Sequence, residues 1–316
     1  MVDDERDGVR LTSLDSPLGD GLGVTKGALV DYLDVVADRL VPLLAGRPLS
    51  VLRVRPGQAP FMQRNVSKGA PDWVRTVAVW SYGAHREVHQ VLCEDRRTLL
   101  WLANQRAVEF HVPFRRADDD APTGLVLDLD PPEGAPFERV VAVADLVRRA
   151  LGQSGLAGAV KTSGAKGLHV VVPVQGRTAD DVAAATRALA ARTELLDPAV
   201  ATTAYIKADR GGRVFVDSTR SGAGTIVAAY SPRARPGLPV SVPVAWDALG
   251  DLRPGEVTVT NAVDRLAEGD SWAELLPEPQ ELPADLVAEG HTIPVARVQA
   301  MHEGKRRARA RREEDG

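Results

Sequence analysis

The sequence predicts a mixed fold of helices and strands, of the α/β or α+β class. Three observations carry that expectation. Apolar runs of strand character, such as "LVLDLD" at 125–130 and "LHVVVPV" at 168–174, alternate with segments of helical period. Glycine and proline mark the boundaries between them, as in "DPPEG" and "TSGAKG". Of the 316 residues, 44% are hydrophobic and 26% charged, which suffices for one large domain or two small ones.

The elements follow in order. Between 26 and 46, Leu29, Val30, Leu33, Val36, Leu40 and Leu44 recur at helical spacing and predict one amphipathic helix. "VLRVR" predicts a strand and then a turn. Residues 73–92 alternate loosely and read as strands around a turn at Gly83. "RRTLLWLANQRAVEFHV" reads as a helix running into a short strand. Residues 124–130 form the next strand, and "FERVVAVADLVRRALGQSG" a helix closed near Gly155. "GAVKTSGAKGLHVVVPV" is strand, glycine turn, strand. "TADDVAAATRALAARTE" is a helix with Thr178 as its N-cap. "GRVFVDST" and "TIVAAYS" are two strands around a short loop. Residues 231–256 are rich in proline and are expected to wrap the surface. The tail "KRRARARREEDG" has no apolar period and reads as disordered.

Composition excludes several classes. The net charge of −4 argues against a protein that is basic all over, so any anion binding must come from local patches. A single cysteine, Cys93, leaves no internal disulfide and no cysteine-cluster metal site. No apolar stretch approaches the roughly 18 residues of a membrane helix. The acidic start, "MVDDERDG", shows no signal peptide, and a cytoplasmic location is expected. Six lysines against 33 arginines make the lysine positions informative.

Asp128 and Asp130 share one face of their strand, with Leu127 and Leu129 on the other. Like charges side by side at the end of a buried strand are costly unless neutralised, and hard divalent cations suit carboxylate oxygens. A strand end where both acids reach solvent is the alternative. Asp217 ends a second apolar strand in the same way, either as a third carboxylate for a pair of metal ions or as a turn residue. In 160–172, Gly164 and Gly167 bracket a turn flanked by Lys161 and Lys166, with Ser163 in it and His169 on the strand that follows. Backbone N–H groups and ammonium groups there suit a phosphate, although a plain hairpin fits equally. Arg233 and Arg235 in "YSPRARPG" suit bidentate phosphate contacts or a solvated loop.

Together, "GVTKGALVDYL", "KGAPDWVRTV", "TLLWLANQRAVEFHVP", "LVLDLDPPEG", "KTSGAKGLHVVVPV", "KADRGGRVFVDSTRSG" and "AAYSPRARPGLPVSVPVAWDAL" resemble the polymerase domain of bacterial ATP-dependent DNA ligase D, of the archaeo-eukaryotic primase superfamily. The resemblance runs from about residue 24 to about residue 277. It implies an α+β fold with a primase-like core, an RRM-like sheet flanked by helices. It divides the chain into an extension at 1–23, a polymerase domain at 24–290 and a basic tail at 291–316. No ligase or phosphoesterase segment is visible, which suggests a stand-alone form.

The resemblance also implies roles. Asp128, Asp130 and Asp217 would bind two Mn²⁺ or Mg²⁺ ions and carry catalysis. Ser163, Lys166, His169 and Arg233 would hold the triphosphate, His111 would lie near the sugar, and Arg220 would assist. Lys26 would grip a 5′-phosphate on DNA at the head of a helix with free N–H groups, and Phe61 would stack on the template base beside Met62. Arg53, Arg64 and Lys68 would complete the DNA contacts. The implied activity is template-directed addition of nucleotides, preferentially ribonucleotides, to 3′ ends at breaks, overhangs or short gaps, in end joining or gap filling. Partners would be DNA and NTP or dNTP, with Ku and an ATP-dependent DNA ligase as associates, a place at the nucleoid and none at a membrane. Two rival readings use the same residues: a haloacid-dehalogenase-type phosphatase built on the D-x-D pair, and a non-catalytic DNA-end-binding module.

Overall fold

The computed structural model describes residues 4–81, 84–222, 224–267 and 271–295. In chain order the elements are β1 (Asp4–Arg6), β2 (Val9–Leu11), α1 (Lys26–Val35), α2 (Ala37–Leu44), β3 (Ser50–Arg55), β4 (Gln58–Gln63), β5 (Thr76–Ser81), β6 (Arg86–Val91), α3 (Arg96–Asn104) and β7 (Ala107–Pro113). There follow β8 (Gly124–Asp130), α4 (Phe137–Gln153), β9 (Ala159–Thr162), β10 (Leu168–Gln175), α5 (Ala179–Leu196), β11 (Ala201–Thr202), β12 (Val214–Asp217), β13 (Thr225–Val227), β14 (Pro243–Val244), α6 (Ala262–Ala267), α7 (Trp272–Leu275), β15 (Gln280–Glu281) and α8 (Ala284–Thr292). The predicted turn at Gly83 and the tail from 296 onward lie outside the described residues.

Two compact units divide the chain. The first is built from the described residues of Met1–Asp120, Ala159–Lys166 and Thr225–Leu276, the second from those of Ala121–Gly158, Gly167–Gly224 and Pro277–Gly316.

In the first unit an antiparallel sheet runs in the order β13-β7-β3-β4. Helices α1, α2 and α3 pack together through Leu29, Leu33, Leu40, Leu44, Leu99 and Leu100, all fully buried. The single helix expected over 26–46 is two helices. Val36 has ψ near 5°, and Arg39 N–H bonds its carbonyl at three residues' spacing, which turns the chain between them. The apolar period continues across the break, so it left no trace in the pattern. At the N-terminus, where the sequence assigned no element, the β1–β2 hairpin is tied down by Arg6, which pairs with Asp4, Asp31 and Asp34.

"TIVAAYS" is a strand only to Val227, and three residues on Tyr230 adopts a left-handed φ of 66°. Its carbonyl accepts from the Tyr32 hydroxyl at 2.7 Å and its own hydroxyl accepts from Trp272 N–H at 2.8 Å. Residues 231–256 were expected on the surface. Instead Ser231, Leu238, Val240, Ser241, Val242 and Leu249 are buried, with backbone groups used in the Pro232–Val240 bridge and the β14–β9 pair.

The second unit has β11-β12-β8-β10 side by side, with β15 added parallel to β10. β8 is antiparallel to both β10 and β12. α4 and α5 pack on these strands, and α8 packs on α5. Thr178 caps α5 as expected, accepting from Asp181 N–H at 3.2 Å. Antiparallel neighbours at the centre of the sheet resolve the fold class to α+β.

Candidate active site

Asp128 on β8 is the direct cross-strand partner of His169 on β10 and of Asp217 on β12. Facing residues in a sheet point the same way, so the three side chains stand in a row. Leu127 and Leu129 take the other face and are fully buried. His169 Nε2 lies 3.4 Å from Asp128 Oδ1. Asp217 is buried and accepts from Thr219 N–H at 2.7 Å. Burial pushes its carboxyl above the ordinary carboxylate value; the Thr219 bond and Arg220 oppose that, and the charge of Asp128 adds to it. The Arg220 Nε stands 3.7 Å from Asp217 and 3.9 Å from Asp128, half in solvent.

Two further residues fix this row. β12 ends beside Asp128, so the backbone of Val126 lacks a strand on that side. The Ser221 hydroxyl replaces it, accepting from Val126 N–H at 3.0 Å and donating to Val126 C=O at 3.2 Å. At Gly167 a Cβ would stand 2.1 Å from the Leu129 carbonyl, so only glycine lets the chain pass there.

Asp130 lies one alternation further along. Its Oδ2 accepts from Arg210 Nη1 at 3.0 Å. Arg210 stacks 3.9 Å over the ring of Phe215, the cross-strand partner of Asp130, and also donates to the carbonyls of Ala204 and Tyr205. Sequence reasoning missed Arg210, since "KADRGGR" reads only as a charged loop.

The adjacent carboxylates of Asp128 and Asp217 fit a hard divalent cation, which would relieve their repulsion. Among the described residues no three His, Cys, Asp or Glu side chains converge as a ready ligand set. Arg210 engages one oxygen of Asp130, Oδ2, and brings a positive charge to this end of the row.

The first unit holds a second cluster. His111 on β7 shares its strand face with Glu109, and its Nε2 lies 2.8 Å from Glu109 Oε2. Arg233 Nε is 3.1 Å from the same oxygen, while Arg233 Nη1 donates to the Ser163 carbonyl at 2.5 Å. Ala234 N–H donates to Glu109 Oε1 at 3.0 Å. Burial alone would raise the Glu109 carboxyl. The His111 bond, Arg233 and the Ala234 N–H outweigh it and hold the group at about 2. Ser163 is buried in the glycine turn, its hydroxyl accepting from Ala165 N–H at 3.2 Å, and Lys166 closes the same turn. Gly164 has φ +67°, and a Cβ there would meet Arg233 Cγ at 2.6 Å. Glu109 was also missed, because "EFHVP" drew attention only to its histidine.

The residues expected to touch DNA also belong to the first unit. Phe61, on the edge strand β4, lies 5.7 Å from the Arg53 guanidinium and 5.5 Å from that of Arg55. Arg53 is buried and bonds Gln63, Ser67 and Gln105, so it holds the strand end together. Arg64 and Lys68 are exposed, as is Met62. Lys26 is 3% exposed, and its ammonium donates to Thr12 C=O at 2.5 Å and Asn104 Oδ1 at 2.6 Å. The free N–H groups expected at the head of α1 are not free. Lys26 N–H bonds Ser16, Gly27 N–H bonds Leu14, and Ala28 N–H bonds the Thr25 hydroxyl. An anion therefore finds no open helix terminus there.

Comparison with known proteins identifies a family. Residues 25–272 match the model of the LigD primase-polymerase domain. The chain is 30% identical over 286 residues to the bifunctional non-homologous end joining protein LigD of Bacillus subtilis, covering 88% of this chain and 46% of that protein. It is 33% identical over 278 residues to the multifunctional LigD of Mycolicibacterium smegmatis, covering 84% and 36%. The chain thus spans less than half the length of these relatives. A solved structure, the polymerase domain from Mycobacterium tuberculosis ligase D in complex with DNA, superposes with a TM-score of 0.77 at 33% identity, covering 84% of this chain and 97% of that one. With its α+β fold and its row of strand-borne acids, the chain belongs to the LigD primase-polymerase domain family, a family of nucleotidyltransferases.

Proposed function

We propose that this protein is a template-directed polymerase that adds nucleotides, with a preference for ribonucleotides, to 3′ ends at DNA breaks, overhangs and short gaps. The observation that carries this reading is the pairing of Asp128 with Asp217 across adjacent strands, in a chain of this family. Asp128, Asp130 and Asp217 would hold two Mn²⁺ or Mg²⁺ ions. Bound there, the ions supply Lewis-acid activation of the primer 3′-hydroxyl and neutralise the triphosphate. His169 orients Asp128 from the neighbouring strand. Arg220 offers its charge to the leaving pyrophosphate. Arg233, Lys166 and the turn at Ser163 bind the triphosphate, and His111 meets the sugar, where a 2′-hydroxyl both donates and accepts hydrogen bonds.

On the DNA side, Phe61 stacks on the template base, with Arg64 and Lys68 on the backbone. Lys26 holds a 5′-phosphate only by exchanging Thr12 and Asn104 for it. Ku and an ATP-dependent DNA ligase are the expected associates, since end joining needs end capture and sealing. Among the described residues no helix is long and apolar enough to cross a membrane.

Extension of a primed, gapped template with each NTP and dNTP tests the reading. The expected result is metal-dependent extension with higher efficiency for the ribonucleotide. No extension, with phosphate released from a simple phosphomonoester instead, would favour the phosphatase chemistry of a D-x-D pair; gap binding without either activity would favour a binding module.

A further inference from the structure

We propose that Glu109 is the positioning residue of the nucleotide cluster, one buried carboxylate that fixes the sugar-contacting imidazole and the phosphate-contacting guanidinium at a set spacing. This rests on the roles proposed above for His111 and Arg233.

Glu109 sits on β7, which is paired on both sides: Leu52 of β3 faces Glu109, and Ser50 of β3 and Val227 of β13 face His111. The two side chains are two residues apart and therefore share a face. The carboxylate divides its work. Oε1 accepts from Ala234 N–H, which anchors the segment carrying Arg233. Oε2 bonds His111 at 2.8 Å and lies 3.1 Å from Arg233 Nε, an ion pair without hydrogen-bond geometry. Arg233 is held on its far side by the Ser163 carbonyl, and the turn at Gly164 closes on its stem.

Burying a carboxylate is unfavourable unless its charge is matched, and a well-packed apolar residue would serve stability at least as well. The gain from Glu109 is spatial and chemical. In the tautomer whose Nε2–H donates a hydrogen bond to Glu109, Nδ1 is left as an acceptor. An acceptor suits a sugar hydroxyl and finds no partner on a deoxyribose lacking it. Glu109 thereby sets which hydrogen bond His111 offers, as well as where Arg233 waits for phosphate.

Glu109→Gln tests this. The amide still accepts from Ala234 N–H but turns a donor toward His111 and Arg233. Steady-state extension should show the ribonucleotide KM raised about tenfold, the effect of losing one charge-assisted contact, with kcat within about twofold. The ribo-to-deoxy efficiency ratio should fall toward one. The double variant with His111→Ala should have the same ratio as His111→Ala alone, as expected for groups acting as a unit. Glu109→Asp, which keeps the charge but is one methylene shorter, gives the same readouts should the glutamine variant not fold. An unchanged KM and ratio in these variants, whatever their melting temperature, would reduce Glu109 to a structural role and overturn the proposal. His111→Ala and Arg233→Ala are the reference arms. If neither alters KM or the ratio, the nucleotide roles themselves fall; if both do and the Glu109 variants do not, only the positioning proposal falls.

Discussion

Replacing Asp217 by asparagine is expected to stabilise the metal-free protein while abolishing nucleotide addition. Asp217 and Asp128 are cross-strand partners, which sets their Cβ atoms about 5 Å apart. Two unit charges at that separation and an effective dielectric near 20 repel by roughly 3 kcal/mol. Arg220, 3.7 Å from Asp217 but half in solvent, takes back much of it, while the burial that raises the Asp217 carboxyl adds to the penalty of the charge. Asparagine also keeps an acceptor for Thr219 N–H but loses the charge assistance, at a cost of about 1 kcal/mol. The net gain is on the order of 1 kcal/mol, a rise of roughly 2–4 °C in melting temperature. Thermal unfolding in a chelating buffer at neutral pH measures it. Added Mn²⁺ should raise the melting temperature of the wild type and leave the variant unmoved. A lower melting temperature for both Asp217→Asn and Asp128→Asn in the metal-free buffer would show that the acids are held by net attraction, and the like-charge account would fail.

Gly167→Ala should destabilise the second unit by about 1–3 kcal/mol, because the new Cβ would press on the Leu129 carbonyl between the two aspartates; denaturant unfolding reads this. Arg210→Ala should remove a positive charge and one bond from Asp130 Oδ2, so that the melting temperature responds to Mn²⁺ at lower concentration than in the wild type. Glu109 lies below its ordinary value of 4.5, so its contribution is full above that value and is lost as pH falls toward about 2. That loss is on the order of 3 kcal/mol, and Glu109→Gln should lack it in acid unfolding curves. Lys26→Ala should lower stability by about 1–2 kcal/mol, since the half-buried Thr12 carbonyl loses its ammonium donor, while Asn104 Oδ1 keeps its bond from Thr12 N–H. Binding to gapped DNA with and without a 5′-phosphate shows whether the lysine also meets that phosphate.

The acids were legible because strand alternation is a local rule. "LVLDLD" and "VFVD" announce apolar strands, and the structure pairs Asp128 with Asp217 directly. Helix ends marked by Thr178 and Gly155 were legible for the same reason. What escaped was non-local. Arg210 matters because Phe215 and Asp130 face each other across two strands, a register that no short stretch encodes. Glu109 matters because Arg233, far along the chain, returns to its oxygen. Lys26 misled because its helix position was read correctly while its surroundings were not. Thr12 and Asn104 come from other elements and bury it. The proline-rich stretch after Ser231 also looked like surface, yet its prolines end short pairings that hold it inside.

The central claim is that Asp128, Asp130 and Asp217 act together through divalent metal. The most direct measurement is single-nucleotide extension of a primed template by Asp128→Ala, Asp130→Ala and Asp217→Ala, alongside the wild type, over a Mn²⁺ and Mg²⁺ series. The expected result is metal-dependent extension by the wild type and none by any variant, with each variant still folded by circular dichroism. Extension retained in two of the three, or extension by the wild type in the presence of excess chelator, would contradict it.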